Sequence, residues 1–80
     1  MPQKRVILHR HAKRRMKERR VSTAEVEGIL KNPDRLESGV KGRTNAFKSG
    51  KGRHIRVTYV DFKDHRLVIT VVMRQKPFKE

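Results

Sequence analysis

The sequence predicts an α+β domain, with two amino-terminal helices packed on one face of a three- to four-stranded antiparallel sheet. Three observations predict it. Apolar residues recur at helical spacing through residues 8–30. Glycine-marked turns then divide the second half into alternating, strand-like segments. The chain has 80 residues, which is one domain, residues 1–80, with a thin core and two layers.

Residues 1–5 read as a frayed, basic start. Val6-Ile7-Leu8 is either a short strand or the lead-in to the first helix. That helix is expected from about His9 to Arg20. Leu8, Ala12 and Met16 recur every fourth residue and form one apolar stripe. His11, Arg15 and Arg19 keep the same spacing, and at about 100° per residue their row lies beside that stripe. Lys13, Arg14, Lys17 and Arg20 fall outside the row and are solvated. Ser22 with Glu25 three residues later is a capping box, so a second helix starts at Thr23. Val26, Ile29 and Leu30 supply its apolar face. Gly28 weakens it by roughly 1 kcal/mol relative to Ala, and Asn32-Pro33 ends it.

Leu36 to Val40 adds a possible edge strand. Arg43 to Lys48 is a strand, and Ser49-Gly50-Lys51-Gly52 a hairpin turn. Arg53 to Val60 alternates, with Ile55, Val57 and Tyr59 on one face and His54, Arg56 and Thr58 on the other. After the turn Asp61–Asp64, Arg66 to Arg74 is apolar on both faces, which places it centrally. The expected faces there are Leu67, Ile69, Val71 and Met73 against Val68, Thr70 and Val72. Pro77 ends the ordered part.

The net charge is +14. Residues 1–20 hold nine Lys or Arg and one acid, residues 21–38 two bases and four acids, and residues 39–80 eleven bases and three acids. Two basic blocks thus surround a mildly acidic segment. Such an excess costs self-repulsion and points to a polyanionic partner, nucleic acid first and an acidic protein second. An anionic membrane fits poorly, because basic residues surround the first helix without leaving a broad apolar face. No apolar run approaches a membrane span, and no signal peptide is expected. There is no cysteine, which suits a cytoplasmic setting. His9 and His11 do not share a helical face and no acid cluster completes a ligand set, so no metal or other cofactor is expected. No P-loop, dinucleotide fingerprint or nucleophile motif is present.

His11-Ala12, Arg15-Met16 and Arg19, then Val21-Ser22, form the pattern H-A-x-x-R-M-x-x-R followed by a hydrophobic residue and Ser. With Glu25-Val26-Glu27, Asn32-Pro33, Gly42-Arg43, Gly52-Arg53-His54-Ile55-Arg56-Val57 and Ile69-Thr70-Val71, the chain resembles a large bacterial family of small domains of unknown function, from about Ile7 to Val72. Arg20 stands where Gly is common before the second helix. That family is distantly similar to the BrnT and RelE toxins, compact ribonucleases of toxin–antitoxin modules. The resemblance implies a RelE/BrnT-like fold, RNA binding, metal-independent cleavage and an acidic antitoxin-like partner.

Metal-free cleavage needs a base for the ribose 2′-proton, an acid for the leaving oxygen, and cations for the phosphate. Arg15 and Arg56 are the candidate phosphate clamps. His11 and His54 are the candidate acid–base pair, imidazole being the side chain that titrates near neutrality. Tyr59 is a further catalytic candidate, although its alternation with Ile55 and Val57 favours the core. Arg19, Arg43, Lys48, Arg53 and Arg74 are candidate nucleic-acid contacts. Blander roles compete. His11 can cap its helix, and Arg15 and Arg19 can pair with Glu18, Glu25 or Glu27. Aromatic residues are few, so phosphate contact is expected to dominate over base stacking. The expected site is one groove, with the helix row meeting the cationic strand face. The alternatives are a non-catalytic nucleic-acid-binding module and a basic domain that binds an acidic protein.

Overall fold

The computed structural model describes residues 4–78. The expected frayed start lies partly outside the described residues. The chain runs β1 (Arg5–Leu8), α1 (Arg10–Arg19), α2 (Thr23–Lys31), β2 (Arg35–Ser38), a 3₁₀ turn (Val40–Gly42), β3 (Arg43–Gly50), β4 (Arg53–Asp61) and β5 (His65–Arg74). The strands form one sheet in the order β1-β5-β4-β3-β2. Both helices cover one face, α1 over β5 and α2 over β3 and β4. The helix-on-sheet arrangement is as expected. The sheet is a correction, since it has five strands and is mixed. Val6-Ile7-Leu8 is a strand, paired parallel to β5 from Arg5↔His65 to Leu8↔Val68. A parallel pair has no turn between its strands, so nothing local in the sequence announces it.

His9 caps α1 from extended backbone, its Nδ1 accepting from the His11 N–H at 3.2 Å. Ala12 and Met16 point down and are buried. The helix ends with Arg20 in the left-handed region (φ 56°), and the Val21 N–H donates to the Met16 carbonyl at 2.9 Å. This is a Schellman-type stop with buried Val21 beneath it. The Ser22–Glu25 capping box forms as predicted: Glu25 N–H to Ser22 Oγ at 3.1 Å, and Ser22 N–H to Glu25 Oε1 at 3.2 Å. Val26, Ile29 and Leu30 are buried.

The hairpin turn is Lys51-Gly52, both at positive φ, the type I′ geometry that suits a two-residue loop. In β4 Ile55, Val57 and Tyr59 are buried under the helices as expected, but Thr58 on the other face is buried too, its Oγ1 donating to Asn45 Oδ1 at 2.6 Å. In β5 the alternation breaks. Thr58 pairs with Thr70 but Tyr59 with Val68, so Ile69 is an extra residue. The bulge resets the period of two. Val68, in place of Leu67 and Ile69, joins Val71 and Met73 against the helices. Val6 and Leu8 close that end of the core. Among the described residues no helix is long and apolar enough to cross a membrane.

Candidate nucleic-acid interface

The helices cover one side of the sheet, so the residues that alternate away from them form an open face. Pairing fixes its members. Ala46 and Val57 face the core as partners, and the next pair along, Phe47↔Arg56, must therefore face outward. Arg35, opposite Phe47 on β2, and Arg74, opposite His54 on β5, do the same. Past β5, whose last residue is Arg74, the chain sets Phe78 against this face.

The result is an interleaved patch of cations and rings. The Phe47 and Phe78 centroids are 5.5 Å apart with the rings edge to face. The Arg35 guanidinium lies 4.3 Å from the Phe47 centroid. Arg74 and Arg56 lie 4.7 Å and 5.5 Å from that of Phe78. Arg56 makes no ion pair with any described residue, and its Nε is buried without a hydrogen-bond partner among them. An unmet buried donor costs free energy. Two carboxylates reach the rim and both are engaged. Glu37 pairs with Arg35 at 3.7 Å. Asp34 accepts from the Ser49 N–H at 2.9 Å and Lys48 Nζ at 3.2 Å. The Ser49 amide and then Lys48 hold its pKa below the ordinary value. Shallow recesses of about 420 Å³ and 220 Å³ flank Pro77-Phe78. The second is lined by His54, whose Nδ1 is 2.7 Å from Ser49 Oγ.

The predicted site residues divide between the two sides of the sheet. His11, Arg15 and Arg19 form an exposed row on α1, with Arg15 only 3.7 Å from solvent-exposed Glu18. His54 and Arg56 project from the opposite side. The expected single groove is therefore not formed. The reason is the alternation in β4: the same period that buries Ile55 and Val57 under the helices sends His54 and Arg56 away from them. Tyr59 is in the core, 5 % exposed, beneath the Arg66 guanidinium.

Arg53 is on the helix side, donating to Glu25 Oε2 at 2.7 Å and to the Arg20 carbonyl at 3.3 Å. It ties the end of α1 to the start of α2, the role expected of Arg15 or Arg19. Lys48 is held by Asp34. Arg43 is exposed at the start of β3, opposite Val60 on the open side. Arg74 is in the patch itself. The histidine that caps α1 is His9, not His11. Because His9 is extended, not helical, its ring stacks on that of His11 at 4.9 Å, against expectation. Among the described residues no three His, Asp or Glu side chains gather as metal ligands.

Arg35, Phe47, Lys76 and Phe78 were not foreseen in the site. Phe47 had a signal, its alternation with Ala46. Phe78 had none, because it follows a proline and belongs to no periodic segment.

Residues 8–73 match the family model of a domain of unknown function, DUF4258. No curated protein and no solved structure matches the chain.

Proposed function

The chain belongs to the DUF4258 family, and we propose that its open sheet face is an RNA-binding surface. The observation that carries this reading is Arg56, half-buried beside Phe78 and in no ion pair among the described residues, while Glu37, the one carboxylate among the described residues lining its recess, lies 3.7 Å from Arg35. A phosphate there supplies a counter-charge and accepts charge-assisted hydrogen bonds from the guanidinium. Arg74 and Lys76 line the same recess and extend the contact along a backbone. The chain's +14 charge supplies long-range attraction. The same field suits an acidic antitoxin-like partner, which would compete with RNA for this face.

Metal-independent, toxin-like cleavage is the second reading, and one observation favours it. The His54 ring is oriented through Nδ1 by Ser49 Oγ and lines a recess beside Arg35. An oriented imidazole beside a guanidinium is the minimum for taking a 2′-proton next to a bound phosphate. His11 and Tyr59 are not at hand to serve as its acid. Within the recesses His54 is the only imidazole among the described residues, so binding ranks ahead of cleavage.

Incubation of the purified protein with labelled RNA in EDTA tests both readings. Salt-sensitive binding that Arg56→Gln weakens supports the interface. Cleavage that His54→Ala abolishes, with binding retained, adds the second reading. No binding at physiological salt refutes both.

A further inference from the structure

We propose that this face takes single-stranded nucleic acid with an unpaired base stacked on Phe78, the carboxy-terminal turn serving as the stacking platform. The inference rests on the RNA-binding reading above and specifies its substrate class.

The chain has only four aromatic residues, and two of them, Phe47 and Phe78, meet on this one face. Neither is fully buried. Both carry guanidiniums over their rings, Arg35 on Phe47 and Arg74 and Arg56 on Phe78. A ring flanked by planar cations presents π-surface and positive charge together, the combination that single-strand binders use. The recesses on either side of Pro77-Phe78 give a base somewhere to go. The larger, about 420 Å³, falls within the range of roughly 300–1,000 Å³ typical of small-molecule sites. A base inside a duplex has both π-faces covered by its neighbours, so it offers this platform nothing beyond phosphate. An unpaired base offers both faces. Phosphates on either side of it would reach Arg56 and Arg74 from the same strand.

Phe78 is also placed for this by its connection. It follows Pro77, four residues past the last strand, and its ring meets Phe47, Arg56 and Arg74 on this face. Its substitution removes π-surface and leaves every core residue in place.

The chain contains no tryptophan, so Phe78→Trp introduces a single fluorescent reporter at the platform. Its emission should be quenched saturably by single-stranded oligonucleotides and far less by a duplex of equal length. RNA and DNA strands are compared to separate the two sources of the base. In anisotropy titrations Phe78→Ala should lose about tenfold in single-strand affinity, the scale of one stacked base. Its duplex affinity and its salt dependence should stay as in the unmodified chain. Thermal unfolding of both variants checks that the fold is kept. If Phe78→Ala binds single strands as well as the unmodified chain, or if duplex quenches the indole equally, stacking is refuted while the phosphate-binding surface stands. If the unmodified chain binds neither form at physiological salt, both proposals fall.

Discussion

Arg53 and Arg56 are three residues apart on one strand, and their surroundings predict opposite consequences for the same substitution. Arg56 has no ion pair among the described residues, and its one ring contact is at 5.5 Å. Such a contact contributes about 0.5–1 kcal/mol at an exposed site. The buried, unpartnered Nε offsets part of that, because an unmet donor costs free energy. Arg56→Gln should therefore change stability by no more than about 0.5 kcal/mol. Its effect should fall on binding. Arg35, Arg56, Arg74 and Lys76 line the recesses around Phe78. At about 0.7 counterions released per phosphate contact on a single strand, four such contacts give a log–log salt slope near −2.8. Losing one should bring it to about −2.1.

Arg53 is the reverse case. Its bonds to Glu25 and to the Arg20 carbonyl hold the two helices together. Both side chains of the ion pair are about one-third exposed (34 % and 36 %), so solvent screening limits the pair to about 1 kcal/mol. Arg53→Gln should lower stability by about that amount and leave the salt slope near −2.8. Urea denaturation gives the stabilities, and anisotropy of a labelled single-stranded RNA across a potassium chloride series gives the slopes. A flattened slope in Arg53→Gln with an unchanged one in Arg56→Gln would refute the assignment of the two faces.

Three further outcomes follow from the fold. Met16 fills the space between α1 and the sheet at 5 % exposure; Met16→Ala should cost about 2–4 kcal/mol through the cavity it leaves, read as a lower urea midpoint. Arg20 sits at φ 56°, where a side chain is strained and glycine is not; Arg20→Gly should raise stability by about 1 kcal/mol, because the Arg53 contact there uses only the backbone carbonyl. The Asp34 pKa is lowered in the folded state by the Ser49 amide and Lys48. Its stabilising contribution is thus complete above the ordinary aspartate value of about 3.9 and is lost as pH falls through the folded one. Asp34→Asn should flatten the decline of the urea midpoint below about pH 4 and leave its profile above about pH 5 parallel to that of the unmodified chain.

The elements announced by local chemistry were legible in the sequence. Ser22 and Glu25 set the start of α2, Asn32-Pro33 its end, and the glycines around Lys51 the hairpin. The alternation of β4 gave the buried set and the outward pair His54 and Arg56; Thr58, expected with them, is buried and donates to Asn45 Oδ1 at 2.6 Å. What escaped was non-local. The parallel pairing of Arg5–Leu8 with β5 joins segments some 60 residues apart, Arg5 with His65, and has no turn to mark it. The extra residue at Ile69 is invisible to a period count. Arg20 takes the positive φ that favours glycine, at the position where the resemblance led us to expect one.

The site was half legible. Arg56, His54 and Arg74 were singled out and lie together. His11, Arg15 and Arg19 were placed with them because both sets are basic, although charge carries no information about which side of a sheet a residue occupies. Four aromatic residues are few by count, which argues for sparse stacking, and only the fold brings two of them, Phe47 and Phe78, to one spot.

The most direct test of the central claim is a backbone-amide NMR titration of the protein with a short single-stranded RNA. Perturbations should concentrate at Phe47, His54, Arg56, Arg74 and Phe78, with the exposed row of His11, Arg15 and Arg19 unmoved. Shifts confined to that row, with the open sheet face silent, would contradict it.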